Sequence, residues 1–96
     1  MNEHKLSVGQ VFTETEWKQI VGYLHMSPQQ AQIARYLVEG ASDKRIAQGM
    51  GIAISTVRTY LTRMFSKLSV QDRNELIVAM FRAYRLNCRS DRPRGN

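Results

Sequence analysis

The 96-residue chain has few of the residues that mark secreted or membrane proteins. Its single cysteine, Cys88, excludes a disulfide within the chain and fits a reducing compartment. No run of about 18 apolar residues is present, so the sequence predicts no membrane span. The start, MNEHKLSVGQVF, lacks the apolar segment of a signal peptide. We therefore expect a cytoplasmic protein.

Residues that support catalysis or bind metal ions are also scarce or poorly spaced. His4, His25 and Cys88 share no spacing typical of metal ligands. The sequence contains no glycine-rich phosphate loop, no paired catalytic carboxylates and no nucleophile beside a base. We expect no enzyme, and neither a metal, a cofactor nor a small-molecule ligand.

The positive charge is concentrated in the second half of the chain. The net charge is +6. Residues 1–43 contain three basic and five acidic residues, whereas residues 44–96 contain eleven basic and three acidic residues. A basic half indicates a polyanionic partner such as DNA, RNA or an anionic membrane.

Capping residues and helix breakers predict five helices and no strand. The first follows a capping box of Thr13 and Glu16, with Phe12 and Trp17 at the positions of a hydrophobic staple. Trp17 could instead anchor a partner. The predicted helices are residues 14–24, the stretch from Ser27 to Gly40, residues 43–50, a stretch within 51–68, and residues 73–86, which begin at a capping box of Asp72 and Glu75.

Each predicted helix carries one apolar stripe at helical spacing, and together these stripes predict the core. The stripes are Trp17, Ile20, Val21 and Leu24; Ile33, Ala34, Leu37 and Val38; Ile46, Ala47 and Met50; Val57, Leu61, Met64, Phe65 and Leu68; and Leu76, Ile77, Met80 and Tyr84.

The stretch GIAISTVRTYLTRMFSKL, residues 51–68, pairs its apolar stripe with a polar face that has no carboxylate. A short helix, a turn at Gly51 and this longer helix form a helix-turn-helix pattern. Such a recognition helix places its N-terminal half against base edges in the major groove. The alternative is the solvated face of an ordinary core helix. At about 100° per residue, the candidate base contacts in one sector are Ser55, Arg58, Thr59 and Thr62.

Residues 26–86 resemble the LuxR/FixJ (GerE-type) DNA-binding domain. The resemblance rests on Ser27-Pro28, Glu39-Gly40, Lys44 with Ile46-Ala47, Gly51-Ile52, Ser55-Thr56-Val57-Arg58-Thr59, Lys67-Leu68 and Asn74-Glu75-Leu76. It implies a tetrahelical domain that binds double-stranded DNA as a dimer. It also implies base contacts at Arg58, Thr59 and Thr62 and a dimer surface on the last helix.

Five positions depart from the family's common pattern. Gln32, Asp43, Ala53, Tyr60 and Ser69 stand where the family commonly has Glu, Asn, Ser or Thr, His, and Gly, respectively. Ala53 matters most physically, because an alanine at the start of a helix caps no amide and typically costs about 1 kcal/mol.

Further cations and hydroxyls lie where the phosphate backbone would run beside the recognition helix. Arg63 and Lys67 turn toward its flank. The full set of candidate phosphate contacts is Lys44, Thr56, Arg63, Ser66 and Lys67.

The last predicted helix has a second apolar strip away from its inner stripe. Val78 and Phe81 share this side with Arg82 and Arg85. An additional apolar strip on a surface helix suggests a partner, and we expect a homodimer through these four residues. In the alternative, Phe81 folds over the rim of the core.

The sequence therefore predicts an all-α protein: a tetrahelical helix-turn-helix bundle with one additional N-terminal helix. Residues 1–25 form the extension, residues 26–86 the DNA-binding domain and residues 87–96 a disordered basic tail. Because about 25 residues precede the domain, too few for a sensor domain, we expect a freestanding effector.

The predicted function is that of a sequence-specific transcription regulator that binds double-stranded DNA as a homodimer, with RNA polymerase as a further candidate partner. One alternative is a domain like region 4 of sigma factors. Another is an antagonist that binds no DNA and heterodimerises through residues 73–86.

Overall fold

The computed structural model describes residues 11–88, which form five α-helices. The helices are α1 (Glu14–Tyr23), α2 (Pro28–Val38), α3 (Asp43–Met50), α4 (Ile54–Lys67) and α5 (Arg73–Ala83), and a π-helical segment, Tyr84–Cys88, continues α5. No strand occurs among these residues, and the predicted all-α class is confirmed. Residues 1–10 of the predicted extension and residues 89–96 of the predicted basic tail lie outside the described residues. Helical structure reaches Cys88, two residues beyond the predicted end of the last helix.

Side-chain caps begin α1 and α2. Thr13 and Glu16 form the predicted capping box, in which each side chain accepts a hydrogen bond from the other residue's backbone N–H. Ser27 caps α2 as predicted, and Gln30 completes a second box that the sequence analysis did not include. These reciprocal bonds satisfy amides that have no acceptor within the helix.

The cap of α5 forms only in part as predicted. The Asp72 carboxylate accepts from the Glu75 N–H at 2.9 Å. Glu75 Oε1, however, accepts from the Gln71 N–H at 2.8 Å. Its carboxylate reaches one residue further back because Asp72 is in a fully extended conformation, with φ −157° and ψ −178°.

The predicted stripes supply most of the core, and Phe12, Met26, Ala41 and Ala83 add to it. Every buried side chain among residues 11–87 is apolar. Met50 differs from the prediction, since it is only half-buried at the last position of α3, where the chain turns away. The largest fully buried side chains are Ile20, Ile33, Leu37, Ile46, Met64, Leu76, Met80 and Val57.

The additional helix α1 belongs to the same core. Trp17 is 3% exposed, and its ring centroid lies 6.2 Å from that of Phe12, which confirms the staple. The Arg35 guanidinium of α2 lies 5.3 Å from the Trp17 ring. Phe12 also contacts Phe81 and Tyr84, with ring centroids 5.0 and 5.6 Å apart. Helix α1 is therefore fixed against α2, α5 and the π-helical segment of its own chain.

Two of the connections place a residue other than glycine in the left-handed backbone region. His25, after α1, has φ 56°, and Ser69, after α4, has φ 57°. Residues with a Cβ are disfavoured there by about 1–2 kcal/mol. Gly40 and Gly51 adopt similar values, with φ 79° and 69°, without that penalty.

Candidate nucleic-acid interface

Helices α3 and α4 are joined by a tight turn that fixes their relative orientation. Gly51 ends α3 in the left-handed conformation, with φ 69°. The Ile52 N–H then donates to the Ala47 carbonyl oxygen at 3.0 Å, and half-buried Ile52 packs against the core. Extended Ala53 begins α4. This helix-turn-helix arrangement holds α4 with its apolar side inward.

The four predicted base contacts lie on the outer face of α4, and all are exposed. The Arg58 side chain is the most open to solvent of those in ion pairs, at 69% exposure. The Thr59 hydroxyl donates to the Ser55 carbonyl oxygen at 3.1 Å. Its proton is therefore used, while its methyl group and oxygen lone pairs remain available. The structure places Ser55, Arg58, Thr59 and Thr62 on one accessible face.

The start of α4 is electrostatically suited to an anion. Ala53 makes no side-chain cap, and the first turn contains no acidic residue. Since the first amides of a helix lack intrahelical acceptors, they carry the positive end of its dipole. Beside them, Lys44, Gln48 and Ile54 help to line a shallow depression. Gln48 was not among the predicted phosphate contacts. Because it follows Lys44 by four residues on α3, the spacing could have indicated that it lies beside Lys44 at this depression.

The remaining candidate phosphate contacts differ in how accessible they are. Arg63 and Ser66 are exposed, and Thr56 is half-buried. Lys67 is exposed too, but its ammonium group donates to the His25 carbonyl oxygen and to Gln30 Oε1, the latter at 3.0 Å. Lys67 therefore ties the end of α4 to the connection between α1 and α2.

An acidic residue lies beside the outer face of α4. Asp43, in the first turn of α3, accepts from Arg58 Nε at 3.3 Å and from an Arg73 terminal nitrogen at 2.5 Å. From the sequence, Asp43 is recognisable only as a departure from the family pattern. Its two arginine partners are 15 and 30 residues away in the chain, so no local signal could have identified them.

Comparison with known proteins identifies the family. Residues 24–80 match the model described as "Bacterial regulatory proteins, luxR family". The chain belongs to the luxR family. This confirms the resemblance noted from the sequence.

Curated relatives of this luxR-family chain match it over 52 to 59 residues. It is 38% identical over 52 residues to the "Monoamine regulon transcriptional regulator" of Klebsiella aerogenes, covering 54% of the chain and 23% of that protein. It is 38% identical over 55 residues to the "Probable HTH-type transcriptional regulator GfsR" of Streptomyces halstedii, covering 57% and 23%. Against the "Response regulator protein VraR" of Staphylococcus aureus, identity is 32% over 59 residues, covering 62% and 28%.

The chain thus spans about a quarter of the length of the curated relatives that it matches. No solved structure matches it. Within residues 11–88 no three His, Cys, Asp or Glu side chains converge on a point where a metal ion could bind. Nor does any helix described there combine the length and apolar character required to cross a bilayer.

The predicted dimer strip of this luxR-family domain lies on the outer side of α5. Val78 and Phe81 are 55% and 45% exposed. With Arg82, Tyr84 and Arg85 they line a shallow groove. Part of the Phe81 ring rests on Phe12, so Phe81 both covers the rim of the core and contributes to the groove.

Proposed function

We propose that this luxR-family chain is a transcription regulator that binds double-stranded DNA sequence-specifically, acting in the cytoplasm as a dimer. The observation that carries the proposal is the outer face of α4. Along its 14 residues, the helix has no carboxylate and presents hydroxyl and guanidinium groups to solvent. A solvated surface helix normally mixes charges of both signs. A face that approaches phosphates cannot carry acidic residues, because the phosphates would repel their carboxylates.

The dimensions of α4 suit entry into the major groove. An α-helix is about 10–12 Å across with its side chains, and the groove of B-DNA is about 12 Å wide. With its N-terminal half leading, Ser55, Arg58, Thr59 and Thr62 would meet base edges. Arg58 could donate two hydrogen bonds to guanine, and a threonine methyl could contact thymine. These four residues are the proposed base contacts.

The proposed phosphate contacts surround this face. The open amides at the start of α4 and the adjacent Lys44 would bind one strand, as helix N-termini commonly do. Thr56, Arg63 and Ser66 would extend the contact along the backbone. Lys67 is assigned to holding α4 in place, since its ammonium group already makes two hydrogen bonds within the protein.

A dimer is proposed because one recognition helix reads only a few base pairs. Two copies on a two-fold axis would double the base contacts and fix the spacing of the half-sites. The proposed surface is the exposed strip along α5 and the π-helical segment, where apolar Val78 and Phe81 lie beside Arg82 and Arg85. Its arginines would repel their symmetry mates unless they splay to the rim, so the dimer should be weak in solution and promoted by DNA.

Val78→Asp is the sharpest test of the dimer, because Phe81 also packs on Phe12 and its replacement would disturb the core. We expect Val78→Asp to leave the helical content unchanged and to abolish cooperative binding to a palindromic duplex, with little effect on a half-site. Analytical ultracentrifugation on DNA measures the number of bound copies. Two copies bound with undiminished cooperativity would place the dimer surface elsewhere.

DNA recognition itself is tested by recovering bound sequences from a random duplex library and comparing two arginine variants. Arg58→Ala should weaken binding to the preferred site by about 1–3 kcal/mol and flatten the preference at one base pair. Arg63→Ala should weaken all duplexes alike and reduce the salt slope by about one unit. Recovery of no preferred sequence, together with almost no salt-dependent binding to a random duplex, would instead favour an interaction module that does not bind DNA.

A further inference from the structure

The ion pairs beside α4 form a continuous chain that ends at the proposed base-reading arginine. Arg73 donates from one terminal nitrogen to the Ala41 carbonyl oxygen at 2.9 Å and from the other to Asp43 Oδ1 at 2.5 Å. Asp43 Oδ2 accepts from Arg58 Nε at 3.3 Å. The Arg73 and Asp43 side chains are 37% and 23% exposed, whereas the Arg58 side chain is 69% exposed. Arg73 therefore holds the Asp43 carboxylate on its less exposed side, and Arg58 contacts it on the side open to solvent.

The atom by which Arg58 is held decides what it can still bind. A guanidinium has five N–H donors in a rigid plane. Asp43 engages the one on Nε, so the pair of terminal nitrogens at the tip of Arg58 stays available. A bidentate contact with guanine requires two donors side by side. The two terminal nitrogens of Arg58 provide these donors, whereas the guanidinium edge that includes Nε is occupied by Asp43.

We propose that Asp43 is a positioning residue for specificity: it holds Arg58 so that only the tip of the guanidinium meets the DNA, which restricts Arg58 to guanine. This inference rests on the proposed function, since it takes Arg58 as a base-reading residue. Ordering a long side chain before binding reduces the entropy lost in the complex. An Arg58 released from Asp43 would sample other rotamers and contact phosphates or other bases.

The same carboxylate opposes DNA electrostatically. It lies beside a face that approaches phosphates and offsets one unit of positive charge, so it should weaken binding to every sequence. Removing it should therefore have opposite effects on general affinity and on discrimination. A carboxylate that merely competed with DNA for Arg58 would weaken binding without adding discrimination.

Asp43→Asn in the full chain separates these two roles. The probes are the preferred duplex from the random library, the same duplex with the base pair read by Arg58 changed from G·C to A·T, and a random-sequence duplex. Fluorescence anisotropy at one fixed salt concentration gives the three affinities. Glu39→Gln, which removes a carboxylate outside this chain of ion pairs, is the matched control for charge.

We expect Asp43→Asn to raise affinity for the random duplex and to lower the ratio between the first two duplexes by about threefold or more, whereas Glu39→Gln keeps the ratio. In an Arg58→Ala background, Asp43→Asn should leave the ratio unchanged. Asp43→Ser, whose short side chain cannot span to Arg58, should repeat the loss if Asp43→Asn melts below the assay temperature.

The outcomes distinguish the inference from the function on which it rests. If the wild type shows no preference between the three duplexes, DNA reading by Arg58 is wrong. If the wild type prefers the G·C site and the Asp43 variants keep or increase that preference, Asp43 is only a competitor and the positioning role is refuted.

Discussion

Replacing Ala53 with serine would add a hydroxyl where the backbone already has the geometry of a capped helix. Ala53 has φ −74° and ψ 152°. Ser42, which begins α3, has φ −76° and ψ 166°, and its hydroxyl accepts from the Arg45 N–H at 3.1 Å. Because the two backbones are so similar, a serine at 53 should reach the Thr56 N–H without moving α4.

The gain should lie in the lower half of the range measured for such caps, which is about 0.5–2 kcal/mol. The Thr56 N–H already has an acceptor, since it donates to the Ala53 carbonyl oxygen at 3.0 Å in a tight turn. The serine hydroxyl would offer the Thr56 N–H a better acceptor, but that N–H is not unpaired without it. A gain of about 1 kcal/mol corresponds to a melting temperature higher by about 4–8 °C for a domain of this size.

Thermal and urea unfolding followed by circular dichroism measure the change. Ser42→Ala is the matched reverse substitution, and it should destabilise by at least as much because the Arg45 N–H loses the hydroxyl that accepts from it. DNA affinity of Ala53→Ser should stay constant or rise, since the first two amides of α4 remain open to a phosphate and the new hydroxyl can also contact one. An unchanged melting temperature for Ala53→Ser, alongside a clear loss for Ser42→Ala, would show that α4 does not begin at residue 53.

Three further substitutions test other parts of the structure. Ser69→Gly should raise stability by roughly 1 kcal/mol because it removes the left-handed strain at φ 57°; an unchanged urea midpoint would contradict this. Gly49→Ala should destabilise by about 1–3 kcal/mol, because a Cβ there would lie 2.0 Å from the Tyr36 hydroxyl oxygen; Gly49→Ala in a Tyr36→Phe background should lose less. Lys67→Gln should lower the melting temperature with little change in the salt slope of DNA binding, whereas Arg63→Gln should lower the salt slope with little change in the melting temperature. A salt slope lower by about one unit for Lys67→Gln would show that Lys67 contacts a phosphate after all.

Features encoded over three or four residues were predictable. The caps at Thr13 and Ser27 and the stripe that includes Val57 and Leu61 depend on spacing within a single helix, and the structure confirms them. The direction of α4's polar face followed from the same periodicity, since the outward side chains are those that the buried stripe leaves over.

Features that depend on the packing of one helix against another were not predictable. Lys67 appears from its sequence position to be an outward cation, yet its partner His25 is 42 residues away. Gly49 has no local reason to be a glycine until the Tyr36 ring is packed across it. Phe81 was expected either in the partner strip or on the rim of the core; its ring lies against Phe12 on one side and is still 45% exposed. In each case the deciding contact joins residues that are distant in the sequence.

The placement of the carboxylates explains how a domain with both charge signs can keep one face for a polyanion. Glu14 pairs with Arg35 at 2.7 Å, and Glu16 accepts from a backbone amide at a helix start. Asp43 instead lies beside α4, so the cluster that it forms with Arg58 and Arg73 has a net charge of +1 rather than +2. Since the salt dependence of DNA binding follows the number of cations that replace counterions, this carboxylate should lower the affinity of the proposed complex on every sequence. If Asp43 also orients Arg58, it lowers the affinity for all sequences but improves binding only at sites with guanine. The ratio between the affinities for these sites and for random DNA is what a regulator needs to find its site.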